Sequence, residues 1–328
     1  MKNIAVVGGG YWGKNLVRNF AELGGLHTIC DSNEQTLLEL KERYPGVNTE
    51  TDYARLLSNI DIKGVVISSP AVMHFAMAKQ AMLAGKDVFV EKPLALKIED
   101  GQELVDIAQK LGRILLVGHI LEYHPAIVML KEMVNSGELG TIQYIYSNRL
   151  NLGKFRTEEN ILWSFAPHDI SVILLLLDGQ MPNSISGHGG YYLHKDIADV
   201  TMTTMSFASG TRAHIFVSWL HPYKEQRLVI VGSQKMAVFN DTEPKDKLLI
   251  YDHSIDWVDN VPVPNRKDAR SVEIQTAEPL KSECQDFIDC IKERKKPRVD
   301  GHKGLQVLKL LSYCQNSLER DGEEISLE

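Results

Sequence analysis

Hydrophobic and polar positions follow two different rhythms along this chain. Ile4 to Val7, Leu26 to Cys30, Val65 to Ser68, Asp87 to Val90 and Ile114 to Gly118 are short, almost unbroken apolar runs. That is the pattern of strands buried on both faces. Between the first two, Leu16, Val17, Phe20 and Leu23 share one helical face, and Gly24-Gly25 stops the helix. Glu34 to Arg43, Ala71 to Leu83 and Ile98 to Leu111 read as further helices, ended by Pro45-Gly46, Gly85 and Gly112. Alternating strands and helices predict an α/β fold, a doubly wound parallel sheet of Rossmann type.

The rhythm changes after Gly118. A helix is expected from Pro125 to Asn135 and a longer strand from Thr141 to Asn148. A polar segment, Asn151 to Asn160, leads to an apolar helix from about Pro167 to Leu177. Pro167 suits a first helical turn. Alternating strands then run to about Val263. Val200–Phe207 and Arg212–Trp219 flank one hairpin turn, and Arg227–Val231 and Lys235–Phe239 another. Two helices, Glu283–Glu293 and Lys303–Glu319, close the chain. The reading is two domains. Residues 1–120 form a cofactor domain. Residues 121–328 form an α/β domain with an open, mostly antiparallel sheet for substrate binding and oligomerisation, its C-terminal helices able to pack back on the first.

Composition narrows the function classes. With 328 residues, 44% hydrophobic and 24% charged, the chain can bury large cores. A net charge of −7 argues against nucleic acid or an anionic membrane as the main partner. No apolar run approaches the roughly 18 residues of a membrane span. Met1-Lys2-Asn3 enters a strand at once, which leaves no room for a signal peptide, so a cytoplasmic location is expected. Cys30, Cys284, Cys290 and Cys314 form no C-x-x-C pair, and no metal site is expected.

The chemistry starts at Gly8-Gly9-Gly10-Tyr11-Trp12-Gly13, a G-x-G-x-x-G between the first strand and the first helix. Gly8 permits the tight turn, Gly10 lets a pyrophosphate approach the backbone, and Gly13 lets helix and strands pack closely. The helix N-terminus faces the phosphates. Asp31, ending the second strand, can accept from both ribose hydroxyls and would repel a 2′-phosphate. Ser32 and Asn33 follow with no cation to receive one, so NAD is expected over NADP. Tyr11 and Trp12 lie within the turn. Ser69, and His74 beyond Pro70, follow the third apolar run, where the chain passes the cofactor. Ser69 is expected at the ribose or phosphate and His74 at the nicotinamide side.

Glu91-Lys92-Pro93 leaves the fourth run at the edge where a nicotinamide ring would lie. Lys92 there could bond a substrate hydroxyl and guide its proton away. A surface ion pair, Glu91 with Lys92, is the bland alternative. His168, in Trp163-Ser164-Phe165-Ala166-Pro167-His168-Asp169, is a second proton acceptor, with Asp169 to orient it or cap the helix. A histidine merely packed or bonded to backbone fits equally well. His119, Tyr123 and His124 follow the fifth run, and Lys154 and Arg156 could hold an anionic substrate.

These motifs together resemble the glucose-fructose oxidoreductase / inositol dehydrogenase family over essentially the whole chain. Glu91-Lys92-Pro93 is the most specific of them. The resemblance implies NAD(P)-dependent oxidation of a sugar or polyol hydroxyl, Lys92 as the catalytic lysine, and dimers or tetramers formed through the open sheets. Many members carry an aspartate four residues before the motif histidine; here Ser164 stands there. That puts an inositol-type mechanism in doubt. The segment Asn151 to Asp169, with Asn160 and Trp163, and Glu122-Tyr123-His124-Pro125 look like a narrower branch. Its members oxidise carbon 3 of UDP-N-acetylglucosaminuronate to a 3-keto sugar for surface polysaccharide. UDP-N-acetylglucosamine, inositol or another sugar are the alternative substrates, and a non-catalytic NAD- or sugar-binding regulator is the alternative from another class.

Overall fold

The computed structural model describes residues 2–153 and 155–327. The chain folds into two compact units. Residues 1–123 and 277–309 form the first, and residues 124–276 and 310–328 the second.

The first unit is built on β1 (Ile4–Val7), β2 (Leu26–Cys30), β3 (Asn48–Glu50), β4 (Gly64–Ile67), β5 (Asp87–Glu91) and β6 (Leu115–Gly118). They pair in the order β3-β2-β1-β4-β5-β6, and every pair is parallel. The order reverses between β1 and β4, the switch point where such sheets bind ligands at their carboxyl ends. The helices are α1 (Gly13–Glu22), α2 (Glu34–Arg43), α3 (Tyr53–Ser58), α4 (His74–Leu83) and α5 (Ile98–Leu111). Strand residues alternate between two cores. Ala5, Val7, Val65, Val88 and Val90 pack with α4 and α5, and Ile4, Val6, Val66 and Phe89 pack with α1 and α2. Distant sequence completes both. α8 (Pro279–Glu293) adds Leu280, Cys284 and Phe287 to the second core, and Val299 and Leu305 join the first. Phe20, Phe89 and Phe287 meet edge to face, with ring centroids 5.8 to 6.5 Å apart.

The second unit holds α6 (Pro125–Asn135), α7 (Ile161–Leu176) and the end of α9 (Gly301–Glu319), which begins in the first unit. Its sheet strands are β7 (Ile142–Leu150), β8 (Ser184–Gly190), β9 (Val200–Ser206), β10 (Arg212–Ser218), β11 (Glu225–Gly232), β12 (Met236–Asn240) and β13 (Leu248–Tyr251). A separate hairpin, β14 (Ser254–Val258) and β15 (Val261–Asn265), precedes two short edge strands, β16 (Arg270–Ser271) and β17 (Ile325–Ser326). The nine-stranded order is β16-β13-β12-β11-β7-β10-β9-β8-β17, antiparallel except for β10 with β7. Both hairpins expected from sequence form, as β9–β10 and β11–β12. One face is buried through Ile145, Ile215, Val217 and Ile230, while Tyr144, Tyr146 and His214 stack on the other.

One element differs from expectation in a way that matters. The apolar helix starts at Ile161, not near Pro167. Asn160 caps it by accepting from the Trp163 N–H at 3.2 Å. Pro167 therefore lies inside α7, and His168 and Asp169 are mid-helix, so Asp169 cannot cap its start. Among the described residues no helix is long and apolar enough to cross a membrane. No group of three or more His, Cys, Asp or Glu among them could hold a metal ion, and all four cysteines are buried and free.

Candidate active site

The carboxyl edge of the parallel sheet carries the glycine turn. Gly8 has φ +91°, a conformation that suits glycine, and a Cβ there would lie 2.8 Å from the Ser68 carbonyl oxygen. A Cβ on Gly13 would lie 1.7 Å from the Gly8 carbonyl oxygen. Gly10 is different: a Cβ there meets no protein atom within 4 Å. Packing explains Gly8 and Gly13. The space over Gly10 fits a ligand that must approach the backbone. Two buried hydroxyls beside the turn, Ser68 Oγ and Ser69 Oγ, lack a protein partner, and a bound cofactor would offer one.

The turn is gripped at both ends. Asp31 Oδ2 accepts from the Gly9 N–H at 2.7 Å and its Oδ1 from the Asn33 N–H at 2.8 Å. Each oxygen keeps a further lone pair for a ribose hydroxyl. At the other end Trp12 Nε1 donates to Glu91 Oε1 at 2.6 Å. Tyr11 beside it is exposed. Burial pushes the Glu91 carboxyl up to about 7, against the pull of Trp12 and Lys92. Lys92 follows, joined to Pro93 by a cis peptide.

His74 does not offer its ring to a cofactor. It is 1% exposed, with Nδ1 2.7 Å from the Pro93 carbonyl oxygen and Nε2 2.9 Å from the Ser69 carbonyl oxygen. Burial pulls the imidazole below its ordinary range, opposed by both carbonyls. His119 is likewise buried, and burial with the charges of Lys92 and Lys303 holds it down at about 3, so it is neutral. Tyr123 is also buried rather than facing substrate, and its hydroxyl donates to Asp286 at 2.8 Å.

The second unit presents candidates that are already engaged. Asp169 is 3% exposed. Arg149 donates to it from Nε at 3.0 Å and from a terminal nitrogen at 3.1 Å, and Ser147 Oγ donates at 2.7 Å. Two strand residues of β7 thus hold α7 where His168 sits. Ser164 lies one turn before His168 on the same helical face and is buried. Asn160 Nδ2 and Trp163 Nε1 both donate to Gln315 Oε1, at 2.8 and 3.1 Å. Arg156 pairs with Glu159 at 3.1 Å. Lys154 lies outside the described residues. His124 caps α6 by accepting from the Ala126 N–H. Sequence reasoning missed Arg149 and Gln315. The alternation of β7 could have flagged Arg149, but nothing local pointed to Gln315.

Residues 2–119 match the model of the GFO/IDH/MocA oxidoreductase family, NAD-binding Rossmann fold. Residues 127–238 match the GFO/IDH/MocA C-terminal domain. UDP-N-acetylglucosamine 3-dehydrogenase of Acidithiobacillus ferrooxidans is 27% identical over 312 residues, 92% of this chain and 93% of its own. A solved structure of that enzyme superimposes with TM-score 0.85, covering 97% of this chain and 98% of its own at 25% identity. The scyllo-inositol 2-dehydrogenase (NAD(+)) of Bacillus subtilis is 25% identical over 89% of this chain and 85% of its own.

Proposed function

The chain belongs to the GFO/IDH/MocA oxidoreductase family, and from that premise we propose that it oxidises the carbon 3 hydroxyl of a UDP-linked N-acetylglucosamine sugar. The supporting observation is the glycine turn held between Asp31 and Glu91, with open space over Gly10. NAD, when bound there, supplies the hydride acceptor. Asp31 is proposed to hold the adenosine ribose, with the N–H groups of the Gly8–Gly13 turn on the pyrophosphate. The carboxylate of Asp31 disfavours a 2′-phosphate, so NAD is preferred over NADP.

Lys92 and His168 are the proposed proton carriers. In alcohol oxidation the hydroxyl proton must leave as the hydride departs. His168 accepts that proton, and Lys92 holds the oxygen and stabilises the charge that develops on it. The product is a 3-keto sugar suited to transamination, a step toward amino sugars of surface polysaccharide. Reaction in the cytoplasm, where nucleotide sugars are made, fits that role.

The neutral sugar is placed ahead of the uronate because Arg156, a candidate for the carboxylate, is paired with Glu159. The relative that acts on UDP-N-acetylglucosamine supports the same order. Initial rates with NAD and each UDP-sugar, followed by NADH absorbance, decide between them. Lys92→Ala and His168→Ala are each expected to lower kcat by about 10²- to 10⁴-fold with NAD binding retained. Near wild-type turnover in both would remove the assignment. The open face around Tyr144, Tyr146 and His214 is the proposed contact between copies. Tyr146→Glu should lower the mass measured by light scattering.

A further inference from the structure

Lys92 is bracketed by its chain neighbours. On one side Glu91 accepts from Trp12, a residue of the glycine turn, at 2.6 Å. On the other the Pro93 carbonyl oxygen lies 2.7 Å from the His74 ring, whose second nitrogen lies 2.9 Å from the Ser69 carbonyl oxygen. Ser69 follows β4, and Ser68 beside it is the segment that Gly8 and Gly13 must clear. The two chain neighbours of Lys92 are therefore tied, by separate side chains, one to the cofactor turn itself and the other to the segment after β4 that lies against it. Both ties start from a rigid ring. An indole N–H projects at a fixed angle from a rigid ring. An imidazole places two nitrogens in diverging directions from one plane: a neutral ring donates to one carbonyl and a protonated ring to both. In either state the buried His74 ring fills the gap between the two backbones.

We propose that Trp12 and His74 are positioning residues that fix Lys92 relative to the cofactor turn. Neither is a proton carrier. The inference rests on Lys92 as an acid–base group, but its geometric part stands apart from the choice of sugar. Here β5 ends at Glu91, so the lysine is the first residue past the sheet. The ties fall on Glu91 and Pro93, the residues on either side of it.

The test uses the full-length chain with Trp12→Phe, His74→Gln and the double variant. Phe keeps an aromatic ring at position 12 but removes the donor; Gln keeps an N–H donor nitrogen at position 74. The first readout needs no sugar. Acetic anhydride labelling, quantified by mass spectrometry on the Lys92 peptide relative to other lysines, reports how tightly Lys92 is held. Each single variant should raise Lys92 labelling at least about threefold, as expected when a local restraint is lost. The second readout is kcat and KM with NAD and UDP-N-acetylglucosamine. Each single should lower kcat roughly tenfold with KM for the sugar within about threefold, and the double should fall short of the product because both act on one group. Unchanged labelling in both singles overturns the proposal. So does a kcat loss that only follows a lower melting temperature while Lys92 labelling stays at the wild-type level. If wild-type protein turns over neither UDP-sugar, the substrate reading fails and the labelling arm alone decides the bracket.

Discussion

The glycine turn of the first unit and the α7 region of the second treat their polar atoms differently. At the glycine turn of the first, several features have no explanation inside the protein. Gly10 has room for a side chain, and the hydroxyls of Ser68 and Ser69 have no protein partner. In the second unit most of the candidate polar groups are answered from within. Asp169 is held by Arg149 and Ser147, Asn160 and Trp163 by Gln315, and Arg156 by Glu159. The difference separates two kinds of residue that look alike in a sequence. Polar groups left over in a buried place point to a ligand, whereas groups satisfied by their own chain build the frame that carries one.

That contrast can be broken most sharply at Arg149. Replacing it with Met leaves Asp169 buried without its cation, and urea unfolding should show a loss of about 3–5 kcal/mol. A loss under about 1 kcal/mol would mean that Asp169 is less enclosed than described, and would return it to the list of substrate contacts. The glycines offer the next largest effect. Gly13→Ala forces a Cβ onto the Gly8 carbonyl and should cost about 3 kcal/mol of stability. Gly10→Ala should leave the urea midpoint unchanged yet weaken NAD by roughly tenfold or more, measured by calorimetry. Equal stability losses at both positions would show that Gly10 serves packing after all.

A pH experiment sharpens the comparison further. Burial pushes the Glu122 carboxyl up to about 7, against the nearby charge of Lys303, from an ordinary value of 4.5. Its folded-state value lies above the unfolded one. The neutral acid's contribution to stability is therefore complete below about pH 4.5 and is lost as pH rises through about 7. Stability measured in urea should fall between pH 5 and pH 8, and Glu122→Gln should remove part of that fall. A slope untouched by the substitution would assign it to another group. The smallest effect is expected at the α7 cap, where Asn160→Ala should cost about 1 kcal/mol by thermal unfolding. Any larger loss would credit its second bond, to Gln315.

What the sequence made legible follows the same division. The parallel strands were readable because strands buried on both faces leave unbroken apolar runs, and the glycine turn because its spacing is local. β3 escaped notice: Asn48-Thr49-Glu50 is a polar edge strand with no apolar run. β8 escaped as well, since Ser-Ile-Ser-Gly-His-Gly-Gly has poor strand propensity and is held by pairing with β9 and β17. The sequence pattern points to a late start for α7 because Pro167 suits a first turn, while Asn160 is the cap. The parallel pairing of β10 with β7 joins strands far apart in the chain, which hairpin spacing cannot reveal. Gln315 meets Asn160 across 155 positions. Contacts of that kind are set by tertiary packing and leave no trace in a local pattern.

One feature of the first unit bears on how the protein is made. Its second core is finished by α8, whose Phe287 closes against Phe20 and Phe89. A ribosome releasing this chain therefore has the glycine turn and all six parallel strands outside the exit tunnel well before the aromatic that seals them. During that interval Phe20 and Phe89 lack their cover, and every strand of the second-unit sheet except the edge strand β17 is synthesised before Phe287 arrives. The nascent cofactor half therefore emerges with that apolar surface uncovered, and chaperone association is expected to be strongest before Phe287 is made. A chain ended near Gly118 should bind the apolar dye ANS more strongly than the full-length protein, because α8 never arrives to complete that core.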